Sequence, residues 1–279
     1  MNDRPDIRLL DNEVLQLDRM HALRAKNGAR DAFANAKPFP HIVFEGLFSE
    51  TILNGILEEY HDVRGADWLR YDNNNELKRG SRPNTKLGPS AQAYFNAIHS
   101  GPFVEFLSHV TGINGLLPDP TLWSGGLHEV PNGGKFAVHI DFNRHPVTLL
   151  ENRLVFITYL NHGWLPSYGG ALELWEPNAE KATSVVQPVF GNSILFYQSP
   201  TSWHGHPDAV NTPDGGPRRS VAAYYYTNGR SDHMVEAATR TTVVLHDLVR
   251  TRREKVEAAI RYCTPPVIFD LARRLAGRK

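Results

Sequence analysis

Cysteine, net charge and long apolar runs are what this sequence has least of. A single cysteine, Cys263, in 279 residues excludes an internal disulfide and suits a reducing compartment. Lysine plus arginine and aspartate plus glutamate both number 30. No excess positive charge is available to hold a polyanionic backbone, so no nucleic-acid partner is expected. The first thirty residues alternate charge with isolated apolar positions and lack an apolar core of signal-peptide length. No segment approaches a membrane span either. The expectation is a cytoplasmic globular protein, because a chain of this length with 41% hydrophobic residues can bury one large core or two modest ones.

Three textures follow one another along the chain. Residues 1–114 read as a mostly helical region with one strand-like interruption, "FPHIVFEGLFS", carrying Ile42, Val43 and Phe44. Ser49 is a candidate N-cap, after which Ile52, Leu53, Ile56, Leu57 and Tyr60 recur at helical spacing, predicting a helix packed on a sheet. The polar, aperiodic run 72–91, "DNNNELKRGSRPNTKLGPSA", reads as a long loop, either a lid or a plain connector. As a lid it would bring Lys78, Arg79, Arg82 and Lys86 to an anionic substrate group; as a connector it would leave them in solvent. Residues 115–228 are short apolar runs cut by turn residues, such as "KFAVHIDF", "RLVFITYL" and "GNSILFYQ", an all-β pattern that suggests a sandwich or barrel. Residues 229–279 return to helical periodicity around Val244, Leu245 and Leu248, with a basic cluster, "RTRREK", that reads as a solvated face.

The chemistry concentrates in "HIDFNRH", residues 139–145. On a strand, residues two apart project to one side, so His139 and Asp141 would aim an imidazole and a carboxylate at one point while Ile140 faces away. Such a nitrogen and oxygen pair suits a divalent metal of intermediate hardness. A histidine from elsewhere would complete the two-histidine, one-carboxylate set used by non-haem iron(II) oxygenases. His145, just before Pro146, belongs to the turn leaving the site and is not expected to ligate.

Downstream come "YLNHGWLPSYGGALELWEP", "SPTSWHGHPDAV" and "PRRSVAAYYYT". In order and spacing, these segments and the HxD pair resemble the double-stranded β-helix core of 2-oxoglutarate- and iron(II)-dependent oxygenases, particularly the prolyl-hydroxylase-like branch, over about Trp123 to Thr227. The resemblance implies that His139 and Asp141 supply two iron ligands and His204, in an "HG" segment, the third. It also implies that Arg218 and Ser220 bind the far carboxylate of 2-oxoglutarate. A guanidinium can grip a carboxylate through two parallel hydrogen bonds, and strand alternation puts Arg218 and Ser220 on one face. A slip of one residue would put Arg219 inside instead.

Other residues are candidates around that set. Tyr159 is a second hydrogen-bond donor for the co-substrate or a core aromatic. His206 lies two residues beyond His204 and could share its face, although the "HG" context selects His204. His128, Asn143 and Arg144 are candidate substrate-pocket residues. Gly169 and Gly170 would permit positive φ or close backbone approach before a strand.

The expected architecture is α+β, a double-stranded β-helix (jelly-roll) core flanked by N- and C-terminal helices. The activity implied by the resemblance is a dioxygenase using Fe(II), with 2-oxoglutarate and O2 as co-substrates. It would hydroxylate an unactivated C–H bond of an amino-acid-like, peptidyl or biosynthetic small molecule, releasing succinate and CO2. Retention of Asp141 argues against the halogenating variant of the family. Two alternatives stand beside it: a non-catalytic jelly-roll binding protein, and a cupin-type metalloenzyme that does not use 2-oxoglutarate.

Overall fold

The computed structural model describes residues 14–25, 28–63, 68–230 and 242–243. The chain divides into two units, Met1–Val243 and Val244–Lys279, and the described residues all belong to the first. The helical run expected from Val244 onward, with its basic cluster, lies outside the described residues.

Helices α1 (Leu17–Ala25) and α2 (Gly28–Asn35) precede strand β1 (His41–Glu45) and helix α3 (Glu50–Glu59). The hairpin β2 (Trp68–Asn73) and β3 (Glu76–Ser81) follows, then helices α4 (Pro89–Ile98) and α5 (Gly101–Thr111). The rest is strand: β4 (Leu117–Pro118), β5 (Gly126–Val130), β6 (Phe136–Ile140), β7 (Glu151–Tyr159), β8 (Leu172–Trp175), β9 (Ala182–Val186), β10 (Asn192–Tyr197), β11 (His204–His206), β12 (Arg218–Thr227) and β13 (Thr242–Val243).

All these strands join one sheet in the order β1-β10-β7-β12-β5-β3-β6-β11-β8-β9, with β2 on β3, β4 on β12 and β13 on β6. Every pairing is antiparallel. The sheet curls into a nearly closed double-stranded β-helix, and the fold is α+β.

The central strands are buried on both faces, which is why they read as continuous apolar runs rather than alternating ones. Along β7 and β12, Leu154, Phe156, Val221, Ala223 and Tyr225 turn outward into a cluster with helix residues such as Leu53, Ile56, Tyr94 and Phe106. Their neighbours Val155, Tyr159, Tyr224 and Tyr226 turn inward with Phe142, Leu174 and Phe196. One face thus docks helices and the other builds the interior of the roll. Helix α3 begins after Ser49 as its periodicity predicts, with Leu53 and Ile56 buried. At its C-cap, Tyr60 donates its hydroxyl to the Ser220 carbonyl oxygen at 2.6 Å, which ties the helix to β12.

The reading of residues 72–91 as one loop is corrected. Residues 72–81 form the end of β2, the turn and β3 of the hairpin, with β3 paired to β5 and β6, and α4 starts at Pro89. The turn is closed by Asn73, whose Oδ1 accepts from the backbone of Asn75 and Glu76 at 2.9 and 3.3 Å. Apolar alternation fails as a signal here because β3 turns non-apolar residues to a cavity: Glu76, Lys78 and Gly80 all line it.

Candidate active site

His139 is the penultimate residue of β6 and His204 opens β11, and the two are directly opposed register partners. Their ring centroids lie 4.4 Å apart. The approach of the two strands depends on Gly205, where a Cβ would stand 2.9 Å from Ala137 O and from Val138 Cα. The glycine of the "HG" segment is therefore required by backbone proximity. Asp141 follows β6 and turns its carboxylate between the rings, Oδ1 at 3.3 Å from His139 Nε2 and Oδ2 at 3.5 Å from His204 Nε2. One donor atom from each residue falls within 4.8 Å of the others, and all three side chains are buried.

Both histidines are held by the same device. His139 Nδ1 lies 2.9 Å from Ala137 O and His204 Nδ1 lies 2.8 Å from Ser202 O. A carbonyl only accepts, so each Nδ1 carries the proton and each Nε2 presents a lone pair to the carboxylate. Burial and the adjacent His204 push the His139 pKa down to about 4, so it is neutral at neutral pH. Two nitrogen lone pairs and an anion facing one point are unfavourable without a cation between them, and this donor set fits iron(II).

The carboxylate is fixed from behind. Tyr224, on the inward face of β12, donates its hydroxyl to Asp141 Oδ2 at 3.1 Å, and Gln198 Nε2 donates to the Asp141 carbonyl oxygen at 2.8 Å. Sequence reasoning missed both. Tyr224 was within reach of it, because strand alternation from Arg218 places 220, 222 and 224 on one face.

Arg218 is buried inward on that face, whereas Arg219 points outward, donating to Glu129 Oε2 at 3.0 Å. The strand is therefore in the register that sets Arg218 beside Ser220. Ser220 lies between His128 on β5 and Tyr159 on β7 as their register partner. The Arg218 guanidinium carbon is 5.1 Å from the Tyr159 ring centroid, and Arg218 Nε and the Tyr159 hydroxyl are both buried with no hydrogen-bond partner. A buried donor pair of this kind fits a carboxylate such as that of 2-oxoglutarate. Gly169 and Gly170 both adopt positive φ, 68° and 65°, and a Cβ on Gly170 would stand 3.0 Å from Arg218 Cδ.

A cavity of about 290 Å³ opens onto the three donors and is lined by His128, Lys78, Tyr71 and Phe136 among others. Burial lowers the His128 pKa to about 4, leaving a neutral imidazole whose Nε2 lies 3.2 Å from the Gly125 carbonyl oxygen. Asn143 and Arg144, expected as candidate substrate-pocket residues, are not among the residues that line this cavity. Asn143 Oδ1 accepts from Gln198 at 3.3 Å, and Arg144 is held by Glu151 at 2.6 Å, because the chain has already turned away from β6. His145 closes that turn, its Nδ1 accepting from Val147 and Thr148. His206 is buried beside Phe136 and is not part of the three-donor cluster.

The strands form a jelly-roll core in which His139, Asp141 and His204 converge as a candidate metal site. Residues 125–226 match the family model described as the 2OG-Fe(II) oxygenase superfamily. Among solved structures the chain is similar to a Pseudomonas putida prolyl-4-hydroxylase, at 15% identity and TM-score 0.52, covering 72% of this chain and 100% of that one. It is also similar to a Trichoplax adhaerens prolyl hydroxylase in complex with a hypoxia inducible factor peptide fragment, at 15% identity and TM-score 0.54, covering 76% and 92%. No curated protein sequence matches the chain.

Proposed function

We propose that His139, Asp141 and His204 bind iron(II), that Arg218, Ser220 and Tyr159 bind 2-oxoglutarate, and that the enzyme hydroxylates an amino-acid-like, peptidyl or small biosynthetic substrate. The observation that carries the assignment is the pair of Nδ1–carbonyl bonds that turns both Nε2 lone pairs onto the Asp141 carboxylate. Bound there, iron(II) with 2-oxoglutarate and dioxygen supplies the oxidant for an unactivated C–H bond, and succinate and carbon dioxide leave. The chain's own part is positional. Tyr224 and Gln198 fix Asp141, Arg218 neutralises the co-substrate's far carboxylate, and the walls of β3, β5 and β6 decide which C–H bond is presented.

The working compartment is the cytoplasm on this reading, supported by the single cysteine; among the described residues no helix is long and apolar enough to cross a membrane. Anaerobic titration of the iron-loaded protein with 2-oxoglutarate tests the assignment. A weak visible charge-transfer band that disappears in Asp141→Ala is expected. Saturable iron binding with no band at any 2-oxoglutarate concentration points instead to a metalloprotein that does not use this co-substrate.

A further inference from the structure

The hairpin strand β3 places one cation and one anion on the wall of the cavity. Lys78 Nζ lies 3.4 Å from Glu76 Oε2, and their side chains are 17% and 19% exposed. The same ammonium stands 3.4 Å from the Phe136 ring centroid and 5.0 Å from that of Tyr71. Phe136 in turn stacks on His139 with centroids 3.8 Å apart. The charge pair is thus one aromatic ring away from the metal donors, and both its members line the cavity.

A purely structural role accounts poorly for this pair. Enclosing two ions costs desolvation that a loose contact does not return, and apolar residues of similar volume usually serve stability as well or better. The separation of 3.4 Å is long beside the 2.6 Å of the Arg144–Glu151 bridge. Burial lowers the Lys78 pKa while Glu76 and Asp141 raise it, so the ammonium sits where further negative charge is welcome. Charge counting then selects the ligand. Two positive charges on the metal and one on Arg218 balance Asp141 and the two carboxylates of 2-oxoglutarate, and Lys78 balances Glu76. A neutral zwitterion can exchange the internal pair for two intermolecular ones without leaving net charge behind, whereas a simple anion would face Glu76 unpaired. The volume, about 290 Å³, falls just under the roughly 300–1,000 Å³ usual for small-molecule sites.

We propose that Lys78 and Glu76 form the substrate subsite for a free α-amino acid, Lys78 taking its carboxylate and Glu76 its ammonium. This rests on the oxygenase reading of the same cavity and names the substrate class within it. The test uses nickel-loaded protein saturated with 2-oxoglutarate and titrated calorimetrically with each proteinogenic L-amino acid. Every binder is compared with its primary amide and its Nα-acetyl derivative. At least one amino acid should bind, with both derivatives weaker by about ten-fold or more, since each loses one charge-assisted contact. Lys78→Met should weaken the amino acid by about ten-fold or more while 2-oxoglutarate affinity stays within about two-fold, and Lys78→Arg should recover part of the loss. Thermal melts of both variants establish that they are folded. The proposal is overturned if no amino acid binds, if the derivatives bind as well as the parents, or if Lys78→Met weakens 2-oxoglutarate as much as the amino acid. Failure of the oxygenase reading would look different: wild-type protein would show no charge-transfer band with iron and 2-oxoglutarate before any amino acid is added.

Discussion

His139 and His204 face each other across β6 and β11 as direct register partners, and each is oriented by the carbonyl of the residue two positions earlier. The proton-bearing nitrogen is therefore set by local backbone and does not depend on the metal. Each imidazole is preorganised as a ligand because the backbone two residues earlier supplies the acceptor, with Asp141 bridging the two Nε2 atoms.

Replacing His139, Asp141 or His204 with Ala should abolish iron-dependent succinate formation, since two donors cannot keep the same facial geometry. His206→Ala should be much milder, because His206 is outside the three-donor cluster. Iron stoichiometry measured on the purified variants checks this, and loss of iron from His206→Ala with retention in His204→Ala would reverse the assignment.

Arg218→Ala should weaken 2-oxoglutarate far more than Arg219→Ala. A carboxylate stripped of its guanidinium loses charge-assisted hydrogen bonds of about 1.5–3 kcal/mol each, which is about ten-fold or more in affinity. Arg219 faces Glu129 and the ring of Tyr60. Its removal should cost stability and leave the co-substrate site intact. Titration of the charge-transfer band ranks the two variants directly.

His139 and Asp141 were legible because strand alternation converts spacing into a shared face, His204 and Arg218 were reached only through the resemblance of their segments to a known family, and the central strands were legible because burial on both faces leaves continuous apolar runs. The β2–β3 hairpin was not, because β3 turns Glu76 and Lys78 toward a cavity, so its inner face is as polar as its outer one. Asn143 and Arg144 followed the HxD strand in sequence, yet the chain leaves the strand at Asp141, and their direction cannot be read from alternation beyond that point. Tyr224 was hidden in the apolar run "VAAYYYT", where nothing but the register distinguishes the tyrosine on Asp141 from its neighbours.

Tyr224→Phe removes the hydrogen bond to Asp141 Oδ2 while keeping the ring. The carboxylate then loses its fixed orientation, and iron affinity should fall by about ten-fold, the lower end of the roughly 10–100-fold typical of lost outer-sphere partners. Thermal stability should change little, because the ring still packs on Phe142. Competition with a metal indicator dye reads the affinity. An unchanged affinity together with an unchanged charge-transfer band would show that the hydroxyl does not orient the carboxylate.

Stability should fall as pH falls through the histidine range, and His99 is one source. It sits at the C-cap of α4 beside the Phe95 ring, its Nε2 is buried without a partner, and burial lowers its pKa to about 4 against the partial opposition of Asp119. The folded state thus holds the ring neutral, whereas the unfolded chain takes up a proton near the ordinary value of 6.5. Above that value neither state is protonated and the group is silent. Between about 6.5 and about 4 the unfolded state binds more protons, so its population rises with acidity; below about 4 both states are protonated and the loss levels off. Partial exposure reduces the full linkage, leaving roughly 1–3 kcal/mol over that window. Urea unfolding of metal-free wild type and His99→Gln at closely spaced pH values isolates the contribution, because other titrating groups are common to both proteins. The wild type should lose more stability than the variant between pH about 6.5 and about 4; parallel curves would mean that His99 is protonated as easily folded as unfolded.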